Sequence, residues 1–353
     1  MAILNVNPLM SAVPATIALD TAGLAQAISP DVMMHYAQNP VSPETAILYP
    51  LAAERYFMAL GDLKNAAFSR RLRVENRIGI AFDVLFDTTL FDLVEDLQNA
   101  WIDRGKSAPQ ELDYRADDYD RAATAFQLAA RDAQELDEVD QDLAEVLALV
   151  RMFPDAVGTF SGLSGWTSLA FQHFLPERAA AVTHRQAGLA VLGAHLLWKA
   201  RIVHGAAMYL AAAAQALRTT GERMSDDTPQ SREMSREEGF VRYAWSLALL
   251  INDDGDLDSL YAAMEELGES IACFRRARGA FPAILHKRLS ETHDLMGHAH
   301  HRGGNMRAAA YHFGQAREIK GRKSSAGIPE ARVLPRRSNK GWKAALRSLL
   351  GKG

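Results

Sequence analysis

Apolar residues recur every three or four positions along most of the chain, and almost no stretch alternates between apolar and polar residues. The first spacing places apolar side chains on one face of an α-helix, whereas alternation would indicate a β-strand. The longest apolar-rich run covers 78–102, and two Ala-rich runs follow at 177–201 and 203–220. The pattern predicts an all-α fold.

Local signals set the bounds of the other predicted helices. Ser42 can cap a helix whose first turn holds Pro43, and that helix is predicted to run to Gly61. Further helices are predicted at 22–28, 31–36, 61–73, 136–153, 237–251, 257–278 and 283–301, followed by one that ends near Lys320.

Three segments rich in turn-forming or polar residues interrupt this pattern. They are predicted as loops at 104–117 and 154–165 and as a polar linker at 221–236. The predicted organisation has five parts, which are an extended arm at 1–20, a helical region at 21–220, the linker at 221–236, a second helical region at 237–320 and a basic tail at 321–353.

A helix–turn–helix unit stands out near the end of the second helical region. Small residues at Gly297, Ala309 and Ala316 would let two helices approach closely. Met306 and Phe313 would fill the remaining gap, and Arg302, Gly303 and Gly304 would form the turn. The spacing of this unit resembles that of a tetratricopeptide repeat, the unit of many α-solenoids. The residues that carry the resemblance are Gly297, His300, Gly304, Met306, Ala309, Phe313 and Ala316, with His293 at the usual early aromatic position.

Two other segments resemble parts of the same repeat. Tyr119, Ala122, Phe126 and Ala129 have the spacing of Met306, Ala309, Phe313 and Ala316. Gly61, Leu63 and Ala66 match the start of a second repeat helix, with Arg70 where Phe is usual. The resemblance implies a TPR-like solenoid of antiparallel helix pairs whose concave groove holds another protein or peptide.

Within that family the groove is lined by one face of the first helix of each pair. The resemblance places Glu291, Asp294, His298 and His301 on this face as the candidate partner groove. Histidines that meet charged partner groups would make binding change between about pH 5 and 7. The leading functional hypothesis is therefore a non-catalytic scaffold or adaptor.

The same residues leave a second hypothesis open, a metal-binding protein or α-helical metal-dependent enzyme. Asp294 and His298 are one helical turn apart, as are His298 and His301, so either pair could bind one ion. The acidic spacing of a calcium loop provides the other candidate ligands, which are Asp254, Asp256, Asp258 and Glu265. Ser259 replaces the glycine that such a loop needs, which favours helix capping. No metal or other cofactor is favoured.

The charge is unevenly divided. From Lys320 onward the chain carries ten Lys or Arg and one Glu, or +9, which leaves −13 for residues 1–319. The end of this basic tail predicts a short amphipathic helix that could contact a partner or an anionic membrane surface. Its candidate contact residues are Arg336, Arg337, Lys340, Trp342, Lys343, Leu346, Arg347, Leu349 and Leu350. Nucleic acid is disfavoured because aromatic residues do not alternate with the basic ones.

The remaining signals exclude several classes. The single cysteine, Cys273, cannot form an internal disulfide and is expected to be a buried thiol. The glycines at 154–165 follow no predicted strand, so a phosphate-binding loop is not expected. The lack of a signal peptide or long apolar run favours a cytoplasmic protein, with peripheral membrane contact as the alternative.

Overall fold

The computed structural model describes residues 29–38, 43–103, 114–174, 183–222, 224, 228–252, 257–277 and 282–325. These residues form α-helices and two short 3-10 helices, with no strand among them. The helices are α1 Pro30–Gln38, α2 Pro43–Ala59, α3 Leu63–Asp103, α4 Asp120–Asp132, α5 Gln141–Ala156, α6 Phe160–His173, α7 Thr183–Lys199, α8 Val203–Glu222, α9 Pro229–Ile251, α10 Leu257–Arg276, α11 Pro282–Arg302 and α12 Met306–Ser325. The predicted all-α class is confirmed.

Helix α3 joins two segments that the sequence pattern predicts as separate helices, 61–73 and 78–102. It runs without a break for 41 residues, or about 60 Å. No proline interrupts it, and a side chain at its central Gly79 would meet no other atom within 4 Å. A helix of this length can contact several others along its two halves.

The first half of α3 belongs to a closed ring of five helices. Each of α3 to α7 packs on the next one, and α7 packs back on α3. The ring encloses an aromatic cluster in which Phe126 and Phe153 have ring centroids 4.4 Å apart. The Trp166 ring packs edge-on against Phe153 at 4.7 Å. This closure gives every helix of the ring two neighbours.

The second half of α3 contributes to another core, with α7 to α11. Phe86, Leu90 and Leu97 on α3 are buried among apolar residues of these helices. From α7 onward, consecutive helices pack in order to α12. The chain therefore combines a closed ring with an open row of helices, and α3 and α7 belong to both.

Two predicted breaks in the helical pattern are wrong in whole or part. The loop predicted at 154–165 contains the end of α5 and the start of α6. Thr159 caps α6 by accepting a hydrogen bond from the Gly162 N–H, so the glycines and serines that follow lie in a helix. The linker predicted at 221–236 gives way to helix α9 at Pro229, where Thr228 caps the first turn.

Several other boundaries differ from the prediction by a few residues. Helix α5 begins at Gln141, because Asp140 accepts a hydrogen bond from the Leu143 N–H and caps it there. The described part of α7 begins at Thr183, later than the pattern predicts. The helix predicted at 22–28 and the arm at 1–20 lie outside the described residues. The tail predicted at 321–353 begins later, because α12 continues to Ser325, and the rest of it is outside the described residues.

Candidate functional site

The hairpin of α11 and α12 has the close packing that its small residues predict. A side chain added at Gly297 would lie 2.6 Å from the Phe313 ring, so this glycine admits the ring against the α11 backbone. Ala309 and Ala316 are both 2% exposed, but Met306 is 58% exposed, so the prediction that it fills the gap beside Phe313 is wrong. Asn305 caps α12 by accepting a hydrogen bond from the Ala308 N–H.

The turn of this hairpin has a residue in the left-handed conformation, Gly304, with a φ of 76°. Its N–H donates to the His301 carbonyl, and the Asn305 N–H donates to the His300 carbonyl. These two hydrogen bonds form a Schellman motif, which satisfies carbonyls at the end of a helix.

Two other hairpins end their first helix in the same way. Gly61 joins α2 to α3 with a φ of 74°, and Arg201 joins α7 to α8 with a φ of 63°. The bond patterns repeat those at Gly304. Ala66 and Ala206 follow their turns by as many residues as Ala309 follows Gly304, and both are buried. The described chain thus contains three hairpins with one turn geometry.

The contact between paired helices also recurs, with different chemistry. Tyr209 follows Gly193 by as many residues as Phe313 follows Gly297, and its ring lies 2.6 Å from where a Gly193 side chain would start. In the first hairpin, Arg70 follows Glu54 by the same separation, and the two form an ion pair at 2.7 Å. The Arg70 that departs from the repeat pattern is therefore paired with Glu54 across the hairpin.

The segment from Tyr119 to Ala129 lies in a different arrangement. Tyr119, Ala122, Phe126 and Ala129 are buried, as their spacing predicts. However, α4 packs on α3 and α5 within the ring. Tyr119 also donates or accepts a 3.0 Å hydrogen bond with His195 of α7. Its repeat-like spacing therefore fits a helix inside the ring.

The chain's own helix α3 occupies much of the surface on which a groove was predicted. Its second half packs on α7 and α9, and Gln98 reaches α11. These three helices are each the first of a pair with the helix that follows. We call the side that α3 contacts the inner face. Over α7 and α9 this face is covered by α3, mainly through apolar residues such as Phe86 and Leu90 but also through Asp87.

Glu291 therefore lies against α3 instead of facing an open groove. Arg288 donates to Glu291 at 2.7 Å and to the Gln98 side-chain oxygen at 3.1 Å. Gln98 donates in turn to the Tyr243 hydroxyl at 2.8 Å and to Glu291 at 3.3 Å. This network joins α3, α9 and α11.

The other three predicted groove residues, Asp294, His298 and His301, follow Glu291 on the same face of α11. Asp294 and His298 have side chains 47% and 52% exposed, with a closest N–O distance of 3.8 Å. His301 is exposed as well. We call Asp294, His298 and His301 the partner face. A cavity of about 500 Å³ lies near this end of α11, lined by Tyr261, Met264, Glu265, Met296, His300, Gly303 and Asn305.

A cluster of three imidazole rings lies between α11 and α12. The Nδ1 atoms of His293 and His312 are 3.0 Å apart, and the His300 ring stacks on His312 with centroids 5.4 Å apart. Burial, together with the nearby His312 and Arg275, lowers the pKa of His293 to about 4. Burial also lowers the pKa of His312. The two α11 histidines lie at packing positions, as the repeat spacing predicts.

The predicted metal ligands do not converge where their side chains are described. Among these residues, no group of three His, Cys, Asp or Glu side chains is arranged to hold an ion. Asp258 and Glu265 both lie in α10, about 10 Å apart along its axis. Asp254 and Asp256 lie outside the described residues.

Sequence reasoning missed one buried polar cluster between α3 and α9. Arg236 is 1% exposed and pairs with Glu233 and Glu237. Beside it, burial raises the pKa of Asp87 to about 8, partly opposed by Arg236. The Oδ2 atom of Asp87 has no hydrogen-bond partner. The charged residues at 232–236 fall in the segment predicted as a polar linker, and Glu237 falls in the helix predicted after it, so the pattern does not predict their burial.

Two simpler expectations concern the thiol and the tail. Cys273 is buried, as expected, and burial raises its pKa to about 12. All nine predicted tail contacts, from Arg336 to Leu350, lie outside the described residues. No described helix is both long and apolar enough to cross a membrane.

Comparison with known proteins gives little further information. No protein-family model matches the chain, and no curated protein sequence matches it. One similar solved structure is BtubC (BKLC) from P. vanneervenii. It is 15% identical, with 92% of this chain and 96% of that chain covered and a TM-score of 0.42. At this TM-score the similarity identifies neither a family nor a function.

Proposed function

We propose that this protein is a non-catalytic scaffold of the tetratricopeptide-repeat type that binds a protein or peptide through the partner face. The supporting observation is the partner face itself, which follows Glu291 along the same face of α11 and is exposed in the described part of the chain. Its polar side chains are about half exposed. Repeat proteins of this kind recognise partners through such surfaces without needing catalytic groups.

The partner is expected to make polar contacts with this face. Apolar residues of α3 already cover the inner face over α7 and α9, so a second apolar segment has no access there. The partner face offers one carboxylate and two imidazoles. A peptide segment with charged or amide groups would match them by hydrogen bonding. The basic tail is proposed as a second contact, to the partner or to an anionic membrane surface.

The test is quantitative capture from native lysate with three forms of the full chain. The first is unaltered, and the second carries Asp294→Ala, His298→Ala and His301→Ala. The third is a matched control with Gln141→Ala, Asp142→Ala and Arg151→Ala, three exposed positions on α5. We expect the unaltered and control forms to retain the same partner, and the partner-face variant to lose at least about tenfold of it.

Equal recovery by all three forms would show that the partner face is not the binding surface. Metal analysis of the same purified baits separates the alternative function. Stoichiometric metal in the unaltered form that disappears in the partner-face variant would support a metal-binding protein instead. A fourth form ending at Lys320 reports whether the tail supplies the second contact.

A further inference from the structure

The imidazole cluster is a partly buried polar contact between the two helices of the last hairpin. His293 and His300 belong to α11, and His312 belongs to α12. His293 is 2% exposed, and its ring centroid lies 5.2 Å from that of His312. At the His293 and His300 positions the repeat pattern usually has Trp and Tyr, which gain no charge in mild acid.

The contact between His293 and His312 can hold only one proton. With Nδ1 atoms 3.0 Å apart, one ring must donate and the other must accept. A second proton would place two N–H donors against each other and remove the hydrogen bond. The remaining His293 ring nitrogen, Nε2, is buried without a hydrogen-bond partner, so nothing there stabilises added charge.

The charged neighbour from the adjacent helix also opposes protonation. Arg275 of α10 lowers the pKa of both His293 and His312, and His300 lowers that of His312. When α12 separates, the rings regain water and an ordinary pKa near 6.5. The open form therefore binds more protons below that pH. The stability of the closed hairpin is complete above about pH 6.5 and is lost as the pH falls toward about 4.

One ring contact connects this cluster to the partner face. His298 packs edge-on against Phe313 with centroids 5.0 Å apart. Phe313 in turn rests on Gly297. Because Phe313 belongs to α12, separation of α12 would remove the support that positions His298.

We propose that the α11–α12 hairpin is a proton-sensitive latch, in which mild acid separates α12 from α11 and displaces His298 from the partner face. The regulatory role rests on the proposed function, whereas the opening of the hairpin does not. The ligand of the latch is the proton. The physical basis of the latch is the contact between the Nδ1 atoms of His293 and His312, near Arg275.

The opening can be measured by amide hydrogen exchange of the full chain at pH 7.5 and 5.0, corrected for the intrinsic rate. For one histidine shifted from about 6.5 to about 4, linkage gives roughly a 30-fold loss of protection at pH 5. Between pH 7.5 and 5.0, we expect protection from exchange to fall at least about tenfold in α12. In α6, which lies inside the ring, protection should fall less than about threefold. Equal protection of α12 at both pH values would overturn the proposal.

Two variants distinguish the latch from a general response to acid. The double variant His293→Phe, His312→Gln removes both members of the contact. Protection of α12 from exchange should then fall less than about threefold between pH 7.5 and 5.0. His204→Gln changes an exposed histidine of α8 and should keep the full loss. If the double variant fails to fold at pH 7.5, His300→Gln should give an intermediate loss. Identical losses in His300→Gln, His204→Gln and the unaltered chain would contradict the latch.

These measurements need no partner, so the two proposals can fail separately. A hairpin that stays closed at pH 5 removes the latch and leaves the scaffold untouched. A hairpin that opens in a protein whose partner face captures nothing removes the scaffold. Capture at pH 7.5 and 5.0 then tests their connection, with a weaker recovery expected at the lower pH.

Discussion

The five-helix ring and the last hairpin are both built around clustered rings, with opposite chemistry. In the ring, Phe126, Phe153 and Trp166 pack within centroid distances of 4.4 to 5.8 Å. In the hairpin, three imidazoles pack at 5.2 and 5.4 Å. The geometry is similar, but only the second cluster can gain charge. Burial of the aromatic cluster stabilises the fold at every pH. Burial of the imidazole cluster stabilises it less as the pH falls and the imidazoles gain protons.

The two regions also differ in closure. Helices α3 to α7 each have two neighbours in the ring, whereas α12 packs mainly on α11 in the part of the chain that the structure describes. Opening α12 exposes one interface, while opening a ring helix exposes two. The comparison indicates that the hairpin is the part most able to respond to its surroundings.

The largest expected effect is on the ring core. Trp166→Ala would remove a ring that is 2% exposed and its hydrogen bond to the Leu149 carbonyl, 2.8 Å long. We expect a loss of about 3 to 5 kcal/mol in unfolding free energy, measured by urea denaturation at pH 7.5. Leu169→Ala on the same helix, at a position 47% exposed, should stay within about 0.5 kcal/mol. Similar losses for both would show that the ring core is misplaced.

A smaller effect is expected at the hairpin contact. Gly297→Ala would place a methyl group 2.6 Å from the Phe313 ring, so one of the two must move. The expected cost is about 1 to 3 kcal/mol, seen as faster hydrogen exchange in α12. Gly314→Ala on α12 meets nothing within 4 Å and should stabilise the helix by about 0.5 to 1 kcal/mol. An equal response to both substitutions would contradict the close approach.

Asp87 sharpens the comparison because its pH dependence has the opposite sign. Its pKa is about 8 in the folded chain, against 3.8 as the ordinary value. Its contribution is present at low pH and is lost as the pH rises from about 4 through 8. Asp87→Asn should therefore reduce the fall in unfolding free energy between pH 6 and 9, by on the order of 2 kcal/mol. If Asp87→Asn leaves the pH dependence of the unfolding free energy unchanged, the Asp87 carboxyl is exposed to water in the folded chain.

The sequence could predict the helices and part of the last hairpin, because both depend on local spacing. Gly297 and Phe313 are close in sequence, and their contact follows from helix geometry. The burial of Tyr119 and Phe126 follows for the same reason. Helix α6 was missed because glycine and serine weaken propensity, while the Thr159 cap and Trp166 burial override it.

Contacts between distant segments could not be predicted from local patterns. The pattern of α3 shows which face is apolar, but not that this face covers α7 and α9. Consequently the contact between Glu291 and Gln98 was missed, and a continuous groove was expected instead. The cluster of Asp87 and Arg236 was missed for the same reason, since charged residues near a turn usually face solvent.

The difference between the two regions can be tested most directly by hydrogen exchange of the unaltered full chain at pH 7.5. The account predicts that α5 and α6, inside the ring, are the most protected helices, and that α12 is less protected by at least about tenfold. It also predicts that the second half of α3 exchanges as slowly as the ring helices, since it is buried on the inner face. Equal protection of α12 and α6, or rapid exchange in the second half of α3, would contradict it.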